Sequence, residues 1–219
     1  MDLKNCCMSV IILIEAACFI IALVSLIKDA NRAWRSMVLY MLITYLTEII
    51  GKLLRTGHHS NQWLYNVFLL FEAGFTSFMF NNLLSKYINS KPLIIGGLGL
   101  LLALYTYDVI NHGFFVFNDI TATVMSVVFV IYSFYYYYLL IKDEQYIDLK
   151  RSAAFWWVAG SLFFYFGSTA VNLFFSFLQD VRVAGHNITY FIFSALSAFL
   201  YACWSYSFIC RKWQTTSKN

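Results

Sequence analysis

The chain has 219 residues, of which 61% are hydrophobic, 20% aromatic and only 12% charged, with a formal net charge of +4. Soluble domains carry about 25% charged residues, so roughly half of an ordinary water-facing surface is missing. That excludes a soluble globular enzyme, a disordered chain and a nucleic-acid binder, and leaves a polytopic membrane protein whose main partner is the lipid bilayer.

A helix needs about 20 apolar residues to cross a hydrocarbon core. Lipid cannot satisfy backbone polar groups, so each long apolar run must close its own hydrogen bonds as a helix. Seven runs are read in chain order: Met8–Ile27, Ser36–Leu54, Trp63–Leu84, Pro92–Ile110, Asp119–Ile141, Ser152–Leu178 and Ile188–Cys210. The expected fold is all-α, a single bundle of seven transmembrane helices followed by a short tail over 211–219.

The first run is longer than a signal-peptide core and contains Glu15, so it is read as a retained helix. In the second, Thr44, Glu48, Lys52 and Arg55 share one helical face, as Tyr65, Glu72 and Thr76 do in the third. Pro92 opens the fourth at the first-turn position, where it breaks nothing. Gly96, Gly97 and Gly99 in that run read as a close-packing surface, and its end carries Tyr105, Asp108 and His112. The sixth holds Ser161, Tyr165, Ser168 and Asn172 as an i, i+4, i+7, i+11 stripe. Ser194, Ser197, Tyr201 and Ser205 of the seventh read as small-residue packing with interhelical hydrogen bonds. The cysteines form neither a CxxC pair nor a zinc spacing.

Eleven of the fifteen Lys and Arg residues fall in the first, third and fifth breaks and the carboxyl tail. The positive-inside rule then expects the amino terminus outside and the carboxyl terminus in the cytoplasm. Trp34, Trp156, Trp157 and Trp213 fall near the inner interface and Trp63 at the outer one, as an aromatic belt requires. The net positive charge therefore calls for no nucleic acid.

Ionisable groups at membrane depth are costly and usually face the bundle interior. Glu15, Glu48 and Glu72 lie within runs, and Asp108 and Asp119 flank the fourth break, all in the expected outer half. Glu15, Glu48, Glu72 and Asp108, together with Tyr65, Tyr165, Ser168 and Asn172, outline a polar cleft opening outward, with Glu72 at its floor. His58, His59, His112 and His186 all fall on expected outer loops with Asp108, Asp119 and Asp180 nearby, the ligand types for zinc. No other cofactor and no catalytic residue is expected.

The segment Trp63-Leu64-Tyr65-Asn66-Val67-Phe68 leading to Phe71-Glu72, with Phe155-Trp156-Trp157 and Gly160-Ser161-Leu162-Phe163-Phe164-Tyr165-Phe166-Gly167, resembles small, poorly characterised seven-helix proteins of Bacteroidetes-type bacteria. Those proteins are often associated with two-component signalling. The resemblance implies a sensory role and a separate signalling partner such as a histidine kinase; it supplies no catalytic residues. The rhodopsin-like pigments and the ceramidase-type hydrolases both fail on residues, because the seventh run has neither a retinal-type lysine nor His-x-x-x-His.

Three functional classes stand. The first is a sensor or receptor-like protein that binds a small ligand or lipid in the cleft. The second is a small-solute transporter, with Glu72 proton-coupled. Its support is a three-plus-one-plus-three repeat, in which Ser25–Asp29 parallels Leu139–Asp143. The third is an intramembrane hydrolase using metal-activated water at the outer histidines.

Overall fold

The computed structural model describes residues 3–57, 60–143, 148–183 and 186–216, with the backbone alone for 3–9 and 186. The chain is helical from end to end: α1 (Leu3–Leu26), α2 (Arg32–Thr56), α3 (Gln62–Leu84), α4 (Lys91–His112), α5 (Asp119–Lys142), α6 (Ala153–Leu173), a single turn α7 (Phe175–Leu178) and α8 (Ile188–Thr216). Six of these, α2 to α6 and α8, are long and apolar enough to cross a membrane, and α1 presents the apolar stretch Val10–Leu26. Large apolar side chains such as Ile95 and Ile141 point outward, 68% and 85% exposed. A chain with that many apolar helices and a greasy exterior is an integral membrane protein.

Several helix ends shift from those expected, α1 beginning at Leu3 and α2 at Arg32, and two further boundaries change the architecture. The sixth run stays apolar through Leu178, but α6 stops at Leu173, and the chain passes through α7 into a two-residue antiparallel hairpin that pairs Arg182 with Asn187 and Val183 with His186. Hydropathy does not register that break, because both sides of it are equally apolar. At the other boundary, α8 continues to Thr216, so 211–216 is helix and not tail.

Each helix packs against its sequence neighbour, and α8 closes the ring by lying between α6 and α1. The helix α3 also touches α5, which draws it towards the centre. The pairing of α6 with α8 is the most extensive, and Gly160 makes it possible: a Cβ there would lie 2.8 Å from Cys203 Cβ and 3.2 Å from the Leu200 carbonyl. This close approach lets Trp157 and Trp204 stack at 5.6 Å with their planes 7° apart. The Trp204 indole N–H then reaches the Trp157 carbonyl at 3.1 Å, and Phe80 meets Trp157 edge-on at 5.2 Å. Of the α4 glycines, only Gly97 faces a neighbour, Tyr132, whose hydroxyl donates to the Leu93 carbonyl at 3.1 Å. Gly96 and Gly99 face open space, which corrects the packing role expected of all three.

The end holding the α1–α2, α3–α4 and α5–α6 connections and the last turns of α8 is bound together by polar contacts. Asn31 caps α2 by accepting from the Ala33 N–H at 2.9 Å, and its amide donates to Asn82 Oδ1 at 3.2 Å. Arg211 donates to both oxygens of Asp29, at 2.6 and 3.0 Å, while its guanidinium lies 5.5 Å from the Trp34 ring centroid. Burial works to raise the Asp29 pKa, but the hydrogen bonds from Arg211 and the Asn31 N–H, with the guanidinium charge, hold it below its ordinary value. The Ser207 hydroxyl donates to the Ala153 carbonyl at 2.7 Å, and Gln214 to the Arg151 carbonyl at 2.9 Å.

Candidate functional site

At the opposite end the helices part around a cavity of about 450 Å³. It is walled by α1, α2, α3, α6 and α8, with Phe117, Ala122, Met125 and Ser126 contributed from the start of α5 and the loop before it. On α2 the lining runs from Arg55 down to Tyr40, and on α8 from Tyr190 down to Trp204, so the cavity reaches about 21 Å along the helices. Its lower end is aromatic. Tyr40 stacks on Phe75 at 4.5 Å and meets Trp204 edge-on at 5.8 Å.

Glu15, Glu48 and Glu72 all line this space, and each accepts a hydrogen bond from a tyrosine on a different helix. Tyr201 of α8 donates to Glu15 at 3.0 Å, Tyr65 of α3 to Glu48 at 3.4 Å, and Tyr165 of α6 to Glu72 at 2.8 Å. The Tyr65 contact is possible because a glycine stands opposite its phenol. At Gly51 a Cβ would come within 2.6 Å of the Tyr65 hydroxyl. Glu15 is only 3% exposed, and its Oε2 has no hydrogen-bond partner among the described residues. A buried acceptor left unpaired is expensive, so this oxygen is a place where a donor gains free energy by arriving. Lys52 and Arg55 stand one and two turns above Glu48 on α2 and complete the upper wall.

Ser168 and Asn172 also line the cavity, and the Asn172 amide donates to Thr123 Oγ1 across to α5 at 3.1 Å. Seven of the eight residues expected in a cleft are thus brought together: Glu15, Glu48, Glu72, Tyr65, Tyr165, Ser168 and Asn172. Asp108 stands apart from the lining. It is buried between α4 and α5, where Oδ2 accepts from the Thr121 N–H at 2.9 Å and from its hydroxyl at 2.7 Å. An acid near the start of a helix satisfies that helix's free N–H groups, and depth alone does not distinguish this use from a cavity-facing one. Ser194, Ser197 and Tyr201 of α8, expected as a packing surface, line the cavity instead.

The outer histidines are placed only in part. His112 is half exposed, its Nδ1 3.9 Å from Asp108 Oδ1. His58, His59 and the His186 side chain lie outside the described residues. Among the described residues no three His, Cys, Asp or Glu side chains gather to hold a metal ion.

Two features escaped the sequence reading. Asn66 is fully buried and ties α3 to the α4–α5 loop: its amide donates to the Phe114 and Val116 carbonyls, both at 2.7 Å, and its oxygen accepts from the Asn118 N–H at 3.0 Å. The aromatic floor of Tyr40 and Trp204 was equally hidden, since nothing along the chain marks which aromatic rings meet. Comparison with protein-family models, curated proteins and solved structures returns no match.

Proposed function

We propose that this protein is a seven-helix membrane sensor that binds a small ligand in the cavity and acts through a separate partner. The observation that carries the reading is the convergence of three carboxylates, each held by a tyrosine from another helix, around one cavity with an aromatic floor. Carboxylates beside aromatic faces suit an organic cation or a strong hydrogen-bond donor, and Lys52 and Arg55 above them suit an anionic group on the same molecule. The closed aromatic floor favours a blind pocket over a through-path, and so a sensor over a transporter.

In this reading α1 is the seventh span, and the end rich in Lys and Arg faces the cytoplasm of a bacterium, which puts the cavity mouth outside. The resemblance to two-component-associated membrane proteins supports a kinase-type partner, reached from the cytoplasmic end. The test is saturable binding of choline, phosphocholine and tetramethylammonium to the purified full chain, followed by tryptophan fluorescence with Trp204 beneath the cavity. At least one probe is expected to saturate at a single site, and Glu72→Gln to weaken it by about tenfold, the value of a charge-assisted contact. Failure of every probe to saturate overturns the ligand class. Glu72-dependent flux of a probe through proteoliposomes overturns the sensor in favour of the transporter.

A further inference from the structure

The opposite end of the molecule carries a second pair of recesses, unrelated to the cavity. Between α1 and α8, Ile20, Ile21 and Val24 face Ile209, Lys212 and Trp213 across a groove of about 650 Å³ on the outer wall of the bundle. Its apolar side chains are open to the surroundings: Ile20 is 58% exposed, Val24 61% and Trp213 54%. Beside it lies a recess of about 1000 Å³ whose lining includes Lys28, Lys86, Arg151 and Arg211. Trp213 lines both, so the greasy groove and the basic recess adjoin at that indole.

Among the described residues lining the recess Asp29 is the acid, and both its oxygens are occupied by Arg211, while Lys28 and Arg151 are exposed cations. Arg151 has Asp148 no nearer than 3.9 Å. The recess is also preformed. The Tyr206 hydroxyl donates to the Lys150 carbonyl at 3.2 Å and Gln214 to the Arg151 carbonyl at 2.9 Å, which fixes the segment bearing Arg151 against α8. An anion arriving there orders little that is not ordered already.

We infer that this flank binds one anionic phospholipid, its phosphate in the basic recess and an acyl chain along the α1–α8 groove, with Trp213 at the junction. Basic recesses between transmembrane helices hold acidic headgroups by this charge match, and an indole favours the boundary between headgroup and chain. A soluble phosphate would explain the recess but not its continuity with an apolar groove that faces the bilayer. The lipid contacts the two helices that close the ring and lies against the Asp29–Arg211 pair, so its occupancy reinforces the α1–α8 seam.

The experiment is native mass spectrometry of the full chain released from nanodiscs of equimolar phosphatidylglycerol and phosphatidylcholine. The chain is expected to retain phosphatidylglycerol preferentially. Lys28→Gln and Arg151→Gln, both exposed positions, are each expected to cut that preference by about fivefold. Val24→Trp, which fills the groove, should lower retention of the lipid while leaving the affinity for inorganic phosphate unchanged. Equal retention of the two lipids, or a preference that survives both charge substitutions, overturns the assignment. So does displacement of the lipid by millimolar inorganic phosphate or by an acidic peptide, since either identifies a water-soluble occupant.

Discussion

The two ends of the bundle spend similar polar residues in opposite ways. At the basic end, polar side chains close on backbone carbonyls and on each other: Asp29 with Arg211, Asn31 with Asn82, Ser207 with Ala153, Gln214 with Arg151. At the other end the α3–α4–α5 corner is bound in this manner through Asn66 and Asp108, and Asn172 ties α6 to Thr123 of α5. The helices α1, α2, α3, α6 and α8 turn polar groups towards the cavity. Neither use is visible in composition. The difference lies in what stands opposite each group, a carbonyl in one case and a cavity in the other. Polar groups satisfied by backbone hold helices in register, whereas those facing a void remain available to a guest.

The sharpest way to break this contrast is to remove the layer that separates the two ends. Trp204→Ala empties the stacked site beneath the cavity and is expected to cost about 3–5 kcal/mol, read as thermal unfolding in detergent. A cost under 1 kcal/mol would mean that the layer is not a structural divider. Next in size is the basic end itself. Asp29→Ala leaves the Arg211 guanidinium, 20% exposed, without its acceptor and is expected to cost about 1.5–3 kcal/mol. Arg211→Ala in the same chain should recover part of that loss. The pair also fixes a pH dependence. Because the folded carboxyl titrates below its ordinary value, its stabilisation is complete above about pH 4 and fades as pH falls through the lowered value. The advantage of the wild type over Asp29→Asn should therefore shrink on acidification, and an advantage that grows would contradict the ion pair.

The smallest effects belong to the cavity. Tyr165→Phe and Tyr201→Phe each delete one donor to a glutamate and are expected to cost only about 0.6–1 kcal/mol of stability. Their main effect should be on probe binding. If either destabilises the fold more than Asp29→Ala does, the cavity is as structural as the basic end and the contrast between the two collapses.

The helices were legible because lipid imposes a length and a composition that hydropathy reads directly. The third run ends at Leu84 and the seventh begins at Ile188 in both the sequence reading and the structure. The misreadings share one cause. The end of α6 at Leu173 sits inside an unbroken apolar run, and the extension of α8 past Cys210 is held by Arg211 on Asp29, 182 residues away. No local pattern carries information about either. The cavity was half legible for the same reason. Helical spacing placed Glu48 with Lys52, and Tyr165 with Asn172, because those groups share a helix. The partners of Glu15, Glu72 and Asn172 come from other helices and needed the packing to reveal them.

The bond between Glu15 and Tyr201 spans 186 residues, from the first helix to the last. Until α8 is made Glu15 lacks its phenol, and the side of α1 that α8 covers in the folded bundle stays open. The contact that holds α1 to α8 through Glu15 is therefore among the latest to form. The bundle is a ring that its first helix cannot close without α8.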